Sequence, residues 1–284
     1  MIICHDIELV FIHVPKCAGT AIRRVFEHES IPGSCVTLFD FDYNHILKRH
    51  VDLAHLPLMD FRHYSQWKYL RKYHTVACIR HPYARIASAC REYYRQFSRE
   101  SQIQMLHEPP SVEQLISYLR SLPAAFEAHD LRYAHAFPIT WFTHYGAKPM
   151  VDSLLRIDHL EEDLIDLSDQ CKLPAQLRNA LLNSVGNSKP RKPSPSLQSL
   201  QSNSDLQATA NLLHQEDFST YGFKANAATF SDQDLNDRIQ ACLQTTASHA
   251  IPHTSLCPSL RWYWGRNSNI VRPAMQPTRR RSPK

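Results

Sequence analysis

Residues 9–25 read LVFIHVPKCAGTAIRRV, and the order of residue types in this stretch decides the fold. Leu9 to Val14 is apolar and largely β-branched apart from His13, as expected of a strand covered on both faces. Pro15 has no N–H to give to a ladder, so the strand ends there. Gly19 permits a turn or a close approach that a Cβ would block. Ala21, Ile22, Val25 and Phe26 then have the spacing of one helical face. A strand, a loop of small residues holding Lys16, and a helix together make a cradle for an anion. The helix N-terminus offers unpaired N–H groups and a partial positive charge, and the lysine adds a full one. The loop is not G-x-x-x-x-G-K-[ST], because its lysine precedes its glycine, and it is not G-x-G-x-x-G. The expected ligand is therefore an anion other than the β,γ-phosphates of ATP.

The same arrangement recurs downstream. His74 to Arg80 (HTVACIR) reads as a second strand, stopped by Pro82, and YARIASACREYYRQF as the helix after it. Ser153–Ile157 is a third strand candidate, followed by an acidic-start helix in EEDLIDLSDQCKL. Residues 112–145 read as mostly helical, 186–205 as a polar, proline-rich loop, and LQATANLLHQEDFSTYGF as helix ending at Gly222. Strands separated by helices predict an α/β domain, P-loop-like, with a mainly parallel central sheet flanked by helices. In that class the ligand sits at the carboxyl ends of the strands. Arg80 falls at that edge together with Lys16, and Ser88 lies about two turns into the next helix. An arginine fork with a hydroxyl suits a second phosphate. Arg85 and Arg91 share the region, with surface charge as the bland alternative for each.

With both segments in view, FIHVPKCAGT and CIRHPYARIASA resemble the two signature segments of the PAPS-dependent sulfotransferases. The likeness is closest to the branch with carbohydrate sulfotransferases, whose patterns include F-I-H-x-P-K-x-A-G-T and R-x-P-x-x-R-x-x-S. LLRIDHLEEDL and HQEDFSTYGF resemble two later segments of that family, so the likeness spans roughly residues 8–223. It implies that Lys16, Cys17, Ala18, Gly19 and Thr20 hold the 5′-phosphosulfate of 3′-phosphoadenosine 5′-phosphosulfate (PAPS), and that Arg80 and Ser88 hold its 3′-phosphate. Ala21, Cys17 and Asp158 depart from the serine, threonine and glutamate common in the family, and none of these changes removes a charge donor. The acceptor implied is a hydroxyl, most naturally of a saccharide.

An acceptor hydroxyl must lose its proton, so a general base is expected near the cradle. His45, His50 and His55 lie in NHILKRHVDLAHLPLMDF. Relatives acting on glycans place a histidine in the stretch before the second strand, followed by apolar residues as in His55-Leu56-Pro57-Leu58. His55 is the leading candidate, His50 the second, with Asp52 or Asp60 behind them. The chemistry needs positioning and charge neutralisation and no metal, and neither H-E-x-x-H nor a Cys/His ligand spacing occurs.

Composition sets bounds on these readings. Hydrophobic content of 43% and charged content of 21% over 284 residues fit a soluble globular chain able to bury a sizeable core. No apolar run reaches 18 residues, and the first residues lead into a strand rather than a signal sequence, so the cytoplasm is the expected compartment. Eight cysteines without a C-x-x-C then read as reduced thiols. Residues 1–224 form the expected domain. Residues 225–284 form an extension of one short helix and coil; with 8 Lys/Arg against 3 Asp/Glu, they account for the formal net charge of +5. A short basic end is ordinarily solvated, and no basic stripe interleaved with aromatics argues for nucleic acid. Two other readings stay open from residues alone: a kinase-like phosphotransferase, which would need magnesium, and a non-catalytic module binding nucleotide or glycan.

Overall fold

The computed structural model describes residues 1–29, 34–97, 109–186 and 193–226, all within one compact unit. The chain begins with β1 (Ile2–Cys4), β2 (Leu9–Ile12), α1 (Gly19–Glu29), β3 (Cys35–Thr37) and a hairpin of β4 (Phe41–Asn44) and β5 (Arg49–Asp52). A 3-10 turn at Leu53–His55, the short α2 (Leu58–Phe61) and a second 3-10 segment at Ser65–Arg71 lead into β6 (His74–Ile79) and α3 (Pro82–Phe97). Next come α4 (Val112–Glu127), a 3-10 segment at Leu131–Ala136, α5 (Thr140–Thr143) and the small hairpin β7 (His144–Tyr145) and β8 (Lys148–Pro149). The described part closes with β9 (Ser153–Arg156), α6 (Leu160–Gln170), α7 (Ala175–Gly186), α8 (Pro195–Ser202), α9 (Ser204–Leu213) and α10 (Gln215–Tyr221).

The fold is α/β, with a mixed five-strand sheet in the order β3-β1-β2-β6-β9. Three strands are parallel, as the strand–helix alternation requires: Ile12 pairs with Ala77, Ala77 with Leu154, and Ile79 with Arg156. This register brings the carboxyl ends of β2, β6 and β9 to one edge. An antiparallel pair, β1 and β3, extends the sheet beyond β2. Both strands are three residues long, too short to show a period in the sequence. All four residues of β2 and Val76 to Ile79 of β6 are buried, because helices cover both faces. On α1 the buried side is Gly19, Ile22, Arg23 and Phe26. The arginine sits there by packing its guanidinium 4.1 Å from the Phe39 ring centre and bonding Glu27 at 2.7 Å.

Four expectations need correction or limits. The segment expected to be a proline-rich loop contains α8: the Ser194 side chain accepts from the Leu197 N–H at 3.2 Å and Pro195 takes the first turn. Serine followed by proline is a helix start, since the first-turn proline gives up an N–H that has no partner anyway. Arg85 is fully buried rather than a surface charge. Cys4 and Cys35, register partners across β1 and β3, are joined as a disulfide, whereas Cys17, Cys78, Cys90 and Cys171 are free thiols. The C-terminal extension beyond Asn226, with its expected short helix, lies outside the described residues. Among the described residues no helix is long and apolar enough to cross a membrane.

Candidate active site

The cradle forms where β2 ends. The Val14 N–H bonds the Ile12 carbonyl at 3.1 Å, and the chain turns out of the sheet before Pro15. Lys16 (φ 63°) and Ala18 (φ 58°) are both left-handed, with Cys17 between them. Such a conformation costs a non-glycine residue about 1–3 kcal/mol and is kept only where surroundings impose it. Alternation of this kind turns successive N–H groups toward one concavity, an anion nest. Cys17 and Gly19 are buried, Lys16 is half-buried, and Ala18 and Thr20 are exposed. The Cys17 side chain points into the core, and burial pushes its thiol up to about 12 despite the nearby Arg85 and Arg80. It is an inert wedge and no nucleophile. Gly19 is required by a neighbour, since a Cβ there would overlap the imidazole of His13.

Arg80 follows directly after β6, and its Nη1 lies 3.4 Å from the Lys16 carbonyl. The two basic residues expected to act together are therefore neighbours, and one braces the backbone of the other. Ser88 is half-buried on α3, and its hydroxyl has no partner among the described residues. The Lys16 ammonium lies 3.4 Å from Glu92, also on α3.

The histidines sort themselves clearly. His55 Nδ1 lies 2.7 Å from Asp52 Oδ2, and Asp52 is itself fixed by accepting the Ala54 N–H at 2.9 Å as the cap of the 3-10 turn. Burial opposes ionisation of Asp52, but the charge and hydrogen bond of His55 outweigh it and hold the carboxyl below its usual range. The His55 ring centre is 4.9 Å from that of His13 and 4.8 Å from that of His135. Burial, reinforced by the charge of His55, keeps His13 well below the ordinary histidine range and takes His135 down to about 3. Both are neutral imidazoles. His50 is elsewhere: it pairs with Tyr43 across the β4–β5 hairpin, with the rings 5.2 Å apart. Asp60 is held by Arg49 at 2.5 Å. The structure thus brings Lys16, Arg80 and the loop together, sets His55 against the His13 that precedes the loop, and leaves His50 out.

One pairing and two groups at the site escaped the sequence reading. The pairing of Asp52 with His55 was open to view, since an aspartate three residues before a histidine is the spacing of a capped turn. Glu92 and His135 gave no signal, because only the packing of α3 and the 131–136 segment brings them to the loop. The later segments serve as bolts. Arg156, at the end of β9, donates to the Tyr221 carbonyl at 3.0 Å and lies 4.6 Å over the Phe223 ring. Asp217 accepts the Ile139 and Thr140 N–H groups at 2.9 and 3.1 Å. Among the described residues one trio, Cys4, Asp6 and Cys35, has donor atoms close enough to share a metal, and its two sulfurs are already bonded to each other.

Compared with known families, residues 1–224 match the sulfotransferase family. No curated protein and no solved structure matches the chain. The matched span covers every element described above, from β1 through α10 and its αL cap at Gly222. The chain belongs to sulfotransferase family 2 and is a PAPS-type sulfotransferase.

Proposed function

We propose that the enzyme sulfates a saccharide hydroxyl, with Lys16 and the 16–20 loop acting on the leaving group and His55 as general base. PAPS, when bound, supplies the sulfuryl group and departs as adenosine 3′,5′-bisphosphate. The residues present fit such a donor: a nest of N–H groups, an ammonium on a flexible stem, and an arginine with N–H groups to spare at the same sheet edge. Lys16 neutralises charge that grows on the 5′-phosphate oxygen as the S–O bond breaks, so its contribution is larger in the transition state than in the ground state. Cys17, Ala18, Gly19 and Thr20 contribute backbone N–H groups to the same end. Arg80 and Ser88 take the 3′-phosphate, the guanidinium offering a fork and the hydroxyl a single bond.

The observation that carries the reading is the 2.7 Å bond from His55 Nδ1 to Asp52. With Nδ1–H donated to the carboxylate, Nε2 is the ring nitrogen left to take the acceptor's proton. An aliphatic hydroxyl such as a sugar's cannot ionise ahead of attack and needs such a base, whereas a phenol needs it far less. That is why a half-buried, oriented dyad argues for a saccharide acceptor. No step draws on a metal.

The test is transfer of labelled sulfate from PAPS to a panel of saccharides, phenols and simple alcohols, run in chelator. Transfer to saccharides, lost in His55→Ala and in Lys16→Ala, is the expected result. Transfer confined to phenols, or a requirement for added divalent metal, would overturn the acceptor or the metal-free part respectively.

A further inference from the structure

Lys16 has a partner within its own chain. Its Nζ lies 3.4 Å from Glu92 Oε2, and the two side chains are only 22% and 17% exposed. Glu92 is one helical turn beyond Ser88 on α3, so both project from the same face. The carboxylate is anchored from its own helix, accepting from Arg95 Nε at 3.2 Å and from Gln96 Nε2 at 2.5 Å. Burial alone would raise the Glu92 carboxyl, but the Arg95 hydrogen bond and the Lys16 charge outweigh it and take it down to about 2. Glu92 is therefore an anion throughout the working range of the enzyme, held in place beside a lysine on a mobile four-carbon stem.

An ammonium cannot serve two anions fully at once, so a phosphosulfate oxygen entering the cradle must compete with this carboxylate. We propose that Glu92 is the resident counter-ion of Lys16, a positioning residue that the incoming nucleotide displaces and that reclaims the lysine as the bisphosphate product leaves. The inference rests on Lys16 engaging the donor, as proposed above. An ammonium with no internal partner would hold donor and product alike, and tight product slows every turnover that ends in release. Glu92 weakens both and balances the charge of the lysine between cycles. It does so from a fixed position, so that only the lysine moves.

Calorimetry with adenosine 3′,5′-bisphosphate, together with initial rates in PAPS, tests this on the full chain. Glu92→Gln should bind the bisphosphate about three- to tenfold more tightly than wild type, more so at low salt. It should also lower KM for PAPS without raising kcat. Glu92→Asp, which keeps the anion, should stay near wild type, and Glu92→Gln should gain nothing in a Lys16→Ala background. A residue that merely packed α3 would weaken binding when replaced, or leave it unchanged. Glu92→Ala provides a second neutral variant if Glu92→Gln does not fold. Unchanged or weaker binding in a folded neutral variant, with Lys16→Ala itself impaired, overturns the counter-ion role alone. Normal binding by Lys16→Ala overturns the Lys16 assignment and this inference with it.

Discussion

Asp52 and His55 are three residues apart, and a single capped turn joins them: one carboxylate oxygen closes the turn on Ala54 while the other takes the imidazole Nδ1. The turn that sets the backbone also sets the ring.

His55→Ala should therefore lose about 10²–10⁴-fold in turnover with little change in donor affinity. Asp52→Asn should keep the fold and still lose about 10²-fold, because the amide favours the wrong tautomer of the ring. His50→Ala, whose ring lies against Tyr43 rather than against the His13, His55 and His135 rings, should lose little. Steady-state rates with donor binding measured alongside decide it; a reversed order of the two histidine variants moves the base to His50.

Gly19→Ala should destabilise the fold by about 1–3 kcal/mol, since its methyl would meet the buried His13 ring. The ring cannot move without disturbing His55, 4.9 Å away. Turnover should fall together with the melting temperature. An alanine variant as stable and active as wild type would contradict the close approach.

Breaking the Cys4–Cys35 bond should cost about 3–4 kcal/mol, the entropy of a closed segment with a sequence separation of 31. Chemical denaturation of Cys4→Ser/Cys35→Ser, or of wild type in reductant, measures it. Identical midpoints with and without reductant would count against the bond.

Acid should weaken the fold early. His13 and His214 are lowered mainly by burial, and burial takes His135 to about 3. The unfolded chain takes up protons at these positions below about pH 6.5, where the folded protein does not. Stability is thus highest above that value and declines as pH falls from about 6.5 toward 5. His135→Asn should flatten the decline in thermal melts. A melting temperature constant across that window would refute it.

Much of the fold was legible because buried strands are written as apolar runs: β2 is one unbroken run and β6 carries Val76 to Ile79, while half-exposed β9 showed only as a short apolar pair, Leu154-Leu155, ahead of an acidic helix start. The edge strands β1 and β3 were not, being three residues long. Lys16, Arg80 and Ser88 were legible as sequence patterns, and the register of the parallel strands accounts for the nearness of the first two. Glu92 and His135 were not, because each is an ordinary polar residue until α3 and the 131–136 segment pack. The disulfide was masked by reasoning from cysteine spacing alone, when its partners meet across a ladder the sequence did not reveal.

The left-handed backbone at Ala18 makes this loop a trap for laboratory evolution. Ala18→Gly would relieve the strain at φ 58°, so a selection for heat resistance would be drawn to it. The same change would let the loop sample shapes in which its N–H groups no longer converge. The variants such a screen enriched would be hardier proteins and slacker enzymes.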